Sequence, residues 1–341
     1  MKRNNTITDV PGIEVGQAQD EQALTGCTVI LCRKGAVGGV DVRGSAPGTR
    51  ETDLLNPVNL VDKVHAVVLA GGSAFGLDAA SGVMKYLAEQ KIGFGLGTNR
   101  VPIVPAAILF DLGLTKSSRH PDAEMGYAAA AAAGVGSVAE GNVGAGTGAT
   151  VGKIFGMGGA MKSGLGTASL EIGGGVIVGA IVAVNAFGDV LDPDTGQIIA
   201  GARPTKIGPL KLGGRDQFAN TLEVMRSFTG RTILGVAAKS NTVIAVVATN
   251  ARFNKAQATK MAQMAQDGLA RTIRPAHTML DGDTVFALTT GRVPADVSVV
   301  GAYAADVLAK AIARAVLAAK PAAGLPAASG KPFPTYYRRP P

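Results

Sequence analysis

The segment TVIAVVATNARF (242–253) and the NKAQATKMAQMAQDGLARTIR that follows it (254–274) decide the fold class. The first is an apolar run rich in β-branched residues, which is typical of a buried strand. The second begins at Asn254, a residue suited to capping a helix, and carries an apolar stripe that includes Met261, Met264 and Leu269. A buried strand followed by an amphipathic helix predicts an α/β protein.

Strand and helix signals alternate on both sides of this segment. In the clearest unit, HAVVLA (65–70) predicts a buried strand and leads through the turn GGSAFG into the helical pattern LDAASGVMKYLAEQ. Other strands are predicted at GVIVGAIVAVNAF (175–187), QIIAGA (197–202) and TVFALTT (284–290), and other helices at DAEMGYAAAAAAG (122–134) and near 301–319.

Glycine marks two less regular regions. From Thr28 to about Asp41, short apolar runs alternate with Gly, which predicts turns. The segment EGNVGAGTGATVGKIFGMGGAMKSGLG (140–166) is too rich in Gly to be regular structure throughout, and we expect a loop or a series of tight crossings beside a functional site. Residues 203–240 mix Pro, Gly and charge and are the best candidate for an internal linker.

Composition excludes several classes of protein. Hydrophobic residues make up 47% of the 341 residues and charged residues 17%, which is the balance of a folded chain with a buried core. The net charge of +8 is spread along the chain, and only 4% of residues are aromatic, so nucleic-acid binding is not expected. The longest apolar run, 175–187, is shorter than the roughly 18 residues of a membrane span.

The termini and the cysteines indicate a cytoplasmic protein. The N-terminal MKRNNTITDVPG lacks the apolar stretch of a secretory signal. Cys27 and Cys32 are an odd number of positions apart in one predicted strand and therefore face opposite sides, so we expect two reduced thiols rather than a local disulfide.

Common motifs of nucleotide, esterase and metal sites do not hold. GAGTGA (144–149) lacks a preceding strand and a following helix, and the phosphate-loop pattern fails because Ile154 follows Lys153. In GGSAFG (71–76), Phe75 occupies the position where a nucleophile elbow needs Gly. The three histidines, 65, 120 and 277, are far apart in sequence, so we expect neither a metal nor a cofactor.

The pair Asn241-Thr242 lies where the linker candidate meets the strand that opens at Thr242. Alone, an Asn-Thr pair usually marks a turn and a strand start. Its context gives it a different meaning. The runs that carry a family resemblance are NTVIAVVATNARF (241–253), HTMLDGDTVFALTTG (277–291), GNVGAGTGATVGK (141–153), AIVAVNAFGDVLD (180–192) and APGTRETDLL (46–55).

These motifs resemble the DmpA family, and the resemblance covers roughly residues 8–320. The family includes L-aminopeptidase/D-esterases, β-peptidyl aminopeptidases, nylon-oligomer hydrolases and a pantetheine-cleaving relative. It implies a four-layer αββα sandwich of the DmpA and ornithine acetyltransferase type, with a single catalytic domain over residues 1–320. The Pro-rich residues 321–341 are predicted to be a disordered tail.

The resemblance also implies roles for individual residues. Members of the family cut themselves before a Ser or Thr, which here gives fragments 1–241 and 242–341, with Thr242 as nucleophile. The family's lysine corresponds to Lys153, its strand asparagine to Asn185 and its acidic pair to Asp281 and Asp283.

Elementary chemistry supports these roles. A Thr hydroxyl needs a base, and a free α-amine with a pKa of about 7.7 to 8.0 is more often neutral at pH 7 than a lysine near 10.4. Lys153 would then stay cationic and stabilise negative charge, and Asn185 would offer an amide N–H to the oxyanion. Asp281 and Asp283 would face one side and hold the amine and Lys153. Glu51, from its charge within RETD, is a weaker candidate for binding the substrate's amino group.

The resemblance leaves the reaction open in part. The expected activity is hydrolysis of small peptides or amides by an aminopeptidase, in a homo-oligomer that the family implies to be a tetramer. Alternatives are an endo-type amidase acting on aminohexanoate oligomers or pantetheine-like amides, an acyltransferase of the ornithine acetyltransferase type, and an uncleaved binding protein. Phe110 stands where some nylon-type relatives carry Tyr, while DGD with Asn-Thr is nearer the Thr-nucleophile branch.

Overall fold

The computed structural model describes residues 3–207, 210–212, 218–227 and 241–328. Within these ranges the chain forms five α-helices and eighteen strands, numbered in chain order. The helices are α1 (Ala79–Glu89), α2 (Ala123–Ala131), α3 (Thr221–Arg226), α4 (Lys255–Thr272) and α5 (Val297–Ala318).

Nine of the strands form one large sheet. The nine are β1 (Glu14–Asp20), β2 (Thr25–Val42), β3 (Thr49–Arg50), β4 (Lys63–Ala70), β7 (Ala106–Ile108), β10 (Leu165–Glu171), β11 (Ile177–Asn185), β16 (Thr242–Ala251) and β18 (Thr284–Val293). Short strands outside it are β5 (Phe94–Leu96), β6 (Asn99–Val101), β8 (Thr150–Val151), β9 (Met161–Lys162), β12 (Asp189–Leu191), β13 (Ile198–Ala200), β14 (Thr205–Ile207), β15 (Leu210–Leu212) and β17 (Ile273–Arg274).

The large sheet runs in the order β10-β11-β16-β18-β2-β4-β7-β3, with β1 also paired to β2. Strands β16 and β18 are parallel, and α4 connects them, because a parallel pair needs a crossover. Their other neighbours, β11 and β2, run antiparallel to them. The sheet is therefore mixed, and its centre is built by the segment that begins at Thr242.

The long strand β2 belongs to both halves of the sheet. Its first part pairs with β1 and β4, its last part pairs with β18, and its register against β4 shifts between Leu31 and Ala36. Gly35, with φ of +75°, lies in this irregularity, which is a common place for Gly in a bulge. The turns predicted between Thr28 and Asp41 are thus wrong, because the glycines bend one continuous strand instead of ending it.

Folding of this sheet over itself creates the four layers that the resemblance implied. Helices α4 and α5 pack on the half formed by β10, β11, β16 and β18. Helices α1 and α2 pack on the other half, around Val29, Val68 and Ala106. A middle core lies between the halves and includes Ile30, Val67 and Val246. The αββα prediction is confirmed, with two halves of one sheet in place of two separate sheets.

Local predictions agree with these layers in several places. Asn254 caps α4, accepting a hydrogen bond from the Gln257 backbone N–H. Met261 and Leu269, on the buried face of the same helix, are fully buried. Cys27 lies in the core under α1 and α2, whereas Cys32 lies in the middle core, and both are free thiols. The opposite facing of the two cysteines is confirmed.

The C-terminal region departs from prediction at its start. We predicted disorder from residue 321, but the Pro326 carbonyl accepts a hydrogen bond from the Lys162 backbone N–H at 2.8 Å, and Leu325 and Ala328 are buried. These residues close the edge beside β9, and their apolar contacts override the Pro-rich composition. Residues 329–341, and 208–209, 213–217 and 228–240 of the linker candidate, lie outside the described residues.

No helix within the described ranges is both long and apolar enough to span a membrane.

Candidate active site

Thr242 is the first residue of β16 and is 5% exposed. Its hydroxyl donates to the carbonyl of Asn241, the residue before it. The backbone N–H of Gly282 donates to the same carbonyl at 3.0 Å. The carbonyl that self-cleavage would attack is therefore in contact with the attacking hydroxyl and polarised by an amide N–H.

The sheet brings Asn185 opposite Thr242. The two are register partners on antiparallel β11 and β16. Asn185 Oδ1 accepts hydrogen bonds from the backbone N–H of Thr150 at 3.0 Å and from its hydroxyl at 3.2 Å. Asn185 Nδ2 donates to the Phe110 carbonyl at 3.0 Å. The amide that we expected to serve an oxyanion thus directs one N–H to the protein backbone.

Lys153 reaches the same amide from the glycine-dense segment. Its Nζ donates to Asn185 Oδ1 at 2.8 Å and to the Asn185 carbonyl at 3.0 Å. Gly152, just before it, has φ of +71°, and an added Cβ would lie 2.1 Å from the Ala202 backbone nitrogen. Only Gly fits there, so the tight crossing predicted for this segment aims the lysine at the site.

The charge of Lys153 differs from the sequence-based expectation. The side chain is 1% exposed, and burial lowers its pKa to about 7, against the opposing effect of the negative charges of Asp281 and Asp111. We expected an ordinary pKa near 10.4 and a permanent cation. A pKa this close to neutral pH makes the neutral amine accessible, so Lys153 can itself accept a proton.

The two aspartates have separate partners. Asp283 Oδ1 accepts from the Val243 backbone N–H at 2.8 Å, and Asp283 Oδ2 lies 2.9 Å from His277 Nδ1. Asp281 Oδ2 accepts from the backbone N–H and hydroxyl of Thr278 at 2.8 and 2.5 Å. Asp283 therefore holds the backbone of Val243, the residue after Thr242. That the two aspartates hold the Thr242 amine stays a prediction.

Asp281 is electrostatically linked to the lysine. Burial and the neighbouring charge of Asp283 raise the pKa of Asp281, whereas the Thr278 hydrogen bonds and the positive charge of Lys153 act in the opposite direction. Asn241 forms an isolated parallel bridge with Asp281, which places the backbone of Asp281 beside the Asn241-Thr242 junction. The site around Thr242 thus contains one acid, Asp281, and one base, Lys153, whose pKa values have both moved toward neutrality.

The structure does not join every predicted residue to this cluster. Glu51 is exposed, follows β3 at the far edge of the sheet, and has a φ of +61°. No contact between Glu51 and the cluster is found in the described part of the chain. Two residues that sequence reasoning missed are Gly282 and His277, and their only signal was their position within HTMLDGD.

A second pair of buried charges supports the glycine-dense segment. Lys162 is fully buried, and its Nζ donates to the carbonyls of Ala149 and Ser163 at 2.8 Å each. Burial lowers the pKa of Lys162 to about 7, opposed by the charge of Asp111. Asp111 accepts from the Thr25 hydroxyl and the Gly72 N–H, and burial raises its pKa to about 6.

Within residues 3–207, 210–212, 218–227 and 241–328, no group of three or more His, Cys, Asp or Glu side chains is arranged to hold a metal ion.

Comparison with solved structures defines the class of fold. The chain is similar to a β-aminopeptidase of Burkholderia sp., with a TM-score of 0.62, 23% identity, and coverage of 93% of this chain and 87% of that one. It is also similar to the L-aminopeptidase D-Ala-esterase/amidase of Ochrobactrum anthropi, with a TM-score of 0.64, 20% identity, and coverage of 93% and 86%. The latter is described as a variant of the N-terminal nucleophile (Ntn) hydrolase fold, and this chain has that fold.

The profile of peptidase family S58 matches residues 5–328, and the chain belongs to this family. This confirms the resemblance to the DmpA family and makes the protein a hydrolase of peptide or amide bonds. It is 45% identical to an uncharacterized aminopeptidase of Mycobacterium tuberculosis, over 94% of this chain and 96% of that protein. It is 30% identical to the 6-aminohexanoate-oligomer endohydrolase of Kocuria sp., over 90% and 84%.

Proposed function

We propose that the chain cuts itself between Asn241 and Thr242 and that Thr242 then hydrolyses amide bonds of small peptides, releasing their N-terminal residue. The observation that carries this proposal is the Asn241 carbonyl, which accepts hydrogen bonds from both the Thr242 hydroxyl and the Gly282 N–H. The products are fragments 1–241 and 242–341, which stay associated as one catalytic domain.

In the cleavage step, Thr242 Oγ1 attacks the Asn241 carbonyl carbon and passes its proton to a base. The Gly282 N–H stabilises the oxyanion. Collapse breaks the bond to the Thr242 nitrogen, which takes up a proton, and leaves an ester between Asn241 and Thr242. Water hydrolyses this ester to a free carboxylate and the free hydroxyl. Lys153, with its pKa lowered to about 7, is the candidate base before an α-amine exists.

In turnover, the new α-amine of Thr242 is the base for its own hydroxyl. The hydroxyl attacks the substrate carbonyl, the leaving amine takes the proton, and water releases the acyl group. Lys153 in its protonated state and Asn185 lie on one side of the nucleophile and stabilise developing negative charge. Asp281 favours that protonated state through its own charge.

Aminopeptidase activity is the primary proposal because relatives at 45% identity over almost the whole chain carry that name. The 30% identity to a 6-aminohexanoate-oligomer endohydrolase supports a second candidate, endo-type hydrolysis of such oligomers. We also propose that the enzyme is a cytoplasmic homo-tetramer without nucleic-acid partners. Free buried thiols and the family resemblance support the location and the assembly.

The test is intact-mass analysis of the purified protein and two variants. Thr249 is a buried threonine of the same strand, and its hydroxyl donates to the Ile177 carbonyl, away from the site. We expect two fragments meeting at Asn241/Thr242 for wild type and Thr249→Ala, and one chain for Thr242→Ala. An uncut wild type with full activity would exclude the mechanism.

Activity is then measured on aminoacyl anilides and aminohexanoate oligomers, with and without an acceptor amine. Release of the free acid at a rate independent of the acceptor supports hydrolysis. Transfer of the acyl group to the amine as the main product would instead identify an acyltransferase.

A further inference from the structure

A cavity of about 160 Å³ lies beside the site, between residues 110–114 and the glycine-dense segment. Its buried side is polar and includes Asp111, Thr150 and Lys153. Thr150 and Lys153 both donate to Asn185 Oδ1, and Asn185 is the register partner of Thr242. The cavity is thus one side chain away from the nucleophile.

The outer side of the cavity is apolar. It is formed by Phe110 and Met157, which are 39% and 37% exposed, and by the half-buried Leu112 and Leu114. Apolar side chains that remain partly in water gain free energy when a ligand covers them, about 25 cal/mol for each Å² removed from water. This rim favours a hydrocarbon group over a polar one.

Charge on the bound group would be disfavoured. Both charged groups of the lining are already hydrogen-bonded within the protein: Lys153 Nζ donates to two oxygens of Asn185, and the Asp111 carboxylate accepts two hydrogen bonds. A charged ligand group there would lose its water and would have to compete with these internal partners, so an uncharged group is favoured.

The size of the cavity sets the size of its occupant. Cavities of about 150 Å³ lined by apolar side chains hold a benzene molecule. A volume of about 160 Å³ therefore accommodates roughly four to six heavy atoms, such as the side chain of Leu or norleucine. Larger aromatic systems would exceed it.

The amine part and the acyl part of the substrate leave the enzyme at different steps. The leaving amine must depart and water must enter before the acyl-enzyme is hydrolysed, whereas the acyl group stays bound through both steps. A cavity of limited volume suits the acyl group, because the substrate of an aminopeptidase carries a single residue on that side of the bond. In the proposed mechanism a substrate carbonyl takes the place of the Asn241 carbonyl beside the Gly282 N–H after the cut, and the cavity on the Asn185 side then offers room for the side chain of the acyl residue.

We propose, on the basis of the proposed function, that this cavity binds the acyl-side group of the substrate and selects an uncharged hydrocarbon chain of about four to six heavy atoms. Leu114 and Met157 then set substrate size without taking part in the chemistry.

The experiment uses the fully cut enzyme and p-nitroanilides with one leaving group and different acyl parts: Gly, Ala, norleucine, Leu, Phe, Lys and Glu, in both configurations. For wild type we expect kcat/KM for norleucine or Leu to exceed that for Gly by about tenfold or more, and Lys and Glu to be poor substrates. Leu114→Trp should lower the Leu-to-Ala ratio of kcat/KM at least tenfold, and Leu114→Ala should raise the Phe-to-Ala ratio.

Met157→Phe, on the exposed rim, provides a second narrowing variant if Leu114→Trp does not fold, and it should shift the ratios in the same direction. Val135→Trp is the control, because Val135 is 77% exposed and does not line the cavity. Cut, active variants whose ratios match wild type would refute the pocket while leaving the proposed function intact. An uncut protein that hydrolyses none of the anilides would refute both.

Discussion

Asn185 and Thr242 face each other across β11 and β16, and Asn185 Oδ1 is 2.8 Å from Lys153 Nζ. A single amide therefore couples the buried lysine to the strand that begins with the proposed nucleophile. Because Asn185 is fully buried, no water can replace its contacts without rearrangement of the core.

Asn185→Ala should slow both self-cleavage and hydrolysis by about a hundredfold or more, because Lys153 loses its side-chain acceptor and, of its two contacts with residue 185, keeps only the one to the backbone carbonyl. Time courses of fragment formation and kcat measure this effect. Asn250 is a matched control, since it is a buried asparagine at the other end of β16 that binds the backbone of Ile177 and Gly175. Asn250→Ala should cost stability but leave cleavage intact, and equal losses of activity would contradict the assigned role.

Gly282→Ala should slow self-cleavage by about a hundredfold. An added Cβ would lie 2.9 Å from Thr242 Oγ1 and 2.6 Å from the Ala46 carbonyl oxygen, which displaces both the hydroxyl and the N–H donor. The uncut fraction over time is the readout. Gly134→Ala, where a Cβ meets nothing within 4 Å, is the control. Cleavage of Gly282→Ala at the wild-type rate would show that the amide does not act on the scissile carbonyl.

Asp281→Asn should lower the hydrolysis rate and remove the further fall of rate near pH 6, while the part of the acid limb due to the Thr242 α-amine stays. Burial raises the pKa of Asp281, so in wild type the rate should fall, with decreasing pH, well above the ordinary aspartate value of about 3.9. Protonation of Asp281 removes its negative charge from the site and leaves the Lys153 ammonium without that counter-charge. A pH profile of kcat/KM tests this, with the exposed Asp306→Asn as control. An unchanged limb in Asp281→Asn would assign it to another group.

Lys162→Met should make stability less dependent on pH between 7 and 9. In wild type the folded pKa of Lys162 is about 7 and the unfolded value about 10.4, so the unfolded state binds more protons over this range. Its contribution to the free energy of unfolding therefore rises with pH, by about 1.4 kcal/mol per pH unit. Urea unfolding in the uncut Thr242→Ala background measures the slope, with the exposed Lys260→Met as control. Identical slopes for Lys162→Met and its background would contradict the prediction.

The central strand and its helix were predictable because their signals are local. The apolar run from Thr242 and the Asn254 cap specify β16 and the start of α4 without help from the rest of the chain. The bend of β2 was not predictable, since Gly35 within a strand and Gly35 within a turn have the same local sequence. The difference lies in pairing with β4 and β18, which are distant in sequence.

The same limit applies to the site. The family motifs gave Lys153 and Asn185, and the structure joins them. The partners of the acidic pair, and the lowered pKa of Lys153, depend on burial by elements far apart in the chain, which no local pattern encodes. Gly282 was hidden because its contribution is a backbone N–H, which every residue except Pro carries.

The segment that begins at Thr242 forms a strand, a crossover helix and a second strand, and both strands lie inside the sheet between β11 and β2. Alone, this segment would expose two long unpaired edges, and the rest of the chain would lack the middle of its sheet. The contacts that activate Thr242 come from both parts, so they exist only after the sheet has closed. In this mechanism the broken peptide bond is a permanent record of correct folding, and the cut fraction of a preparation counts the molecules that reached the native state.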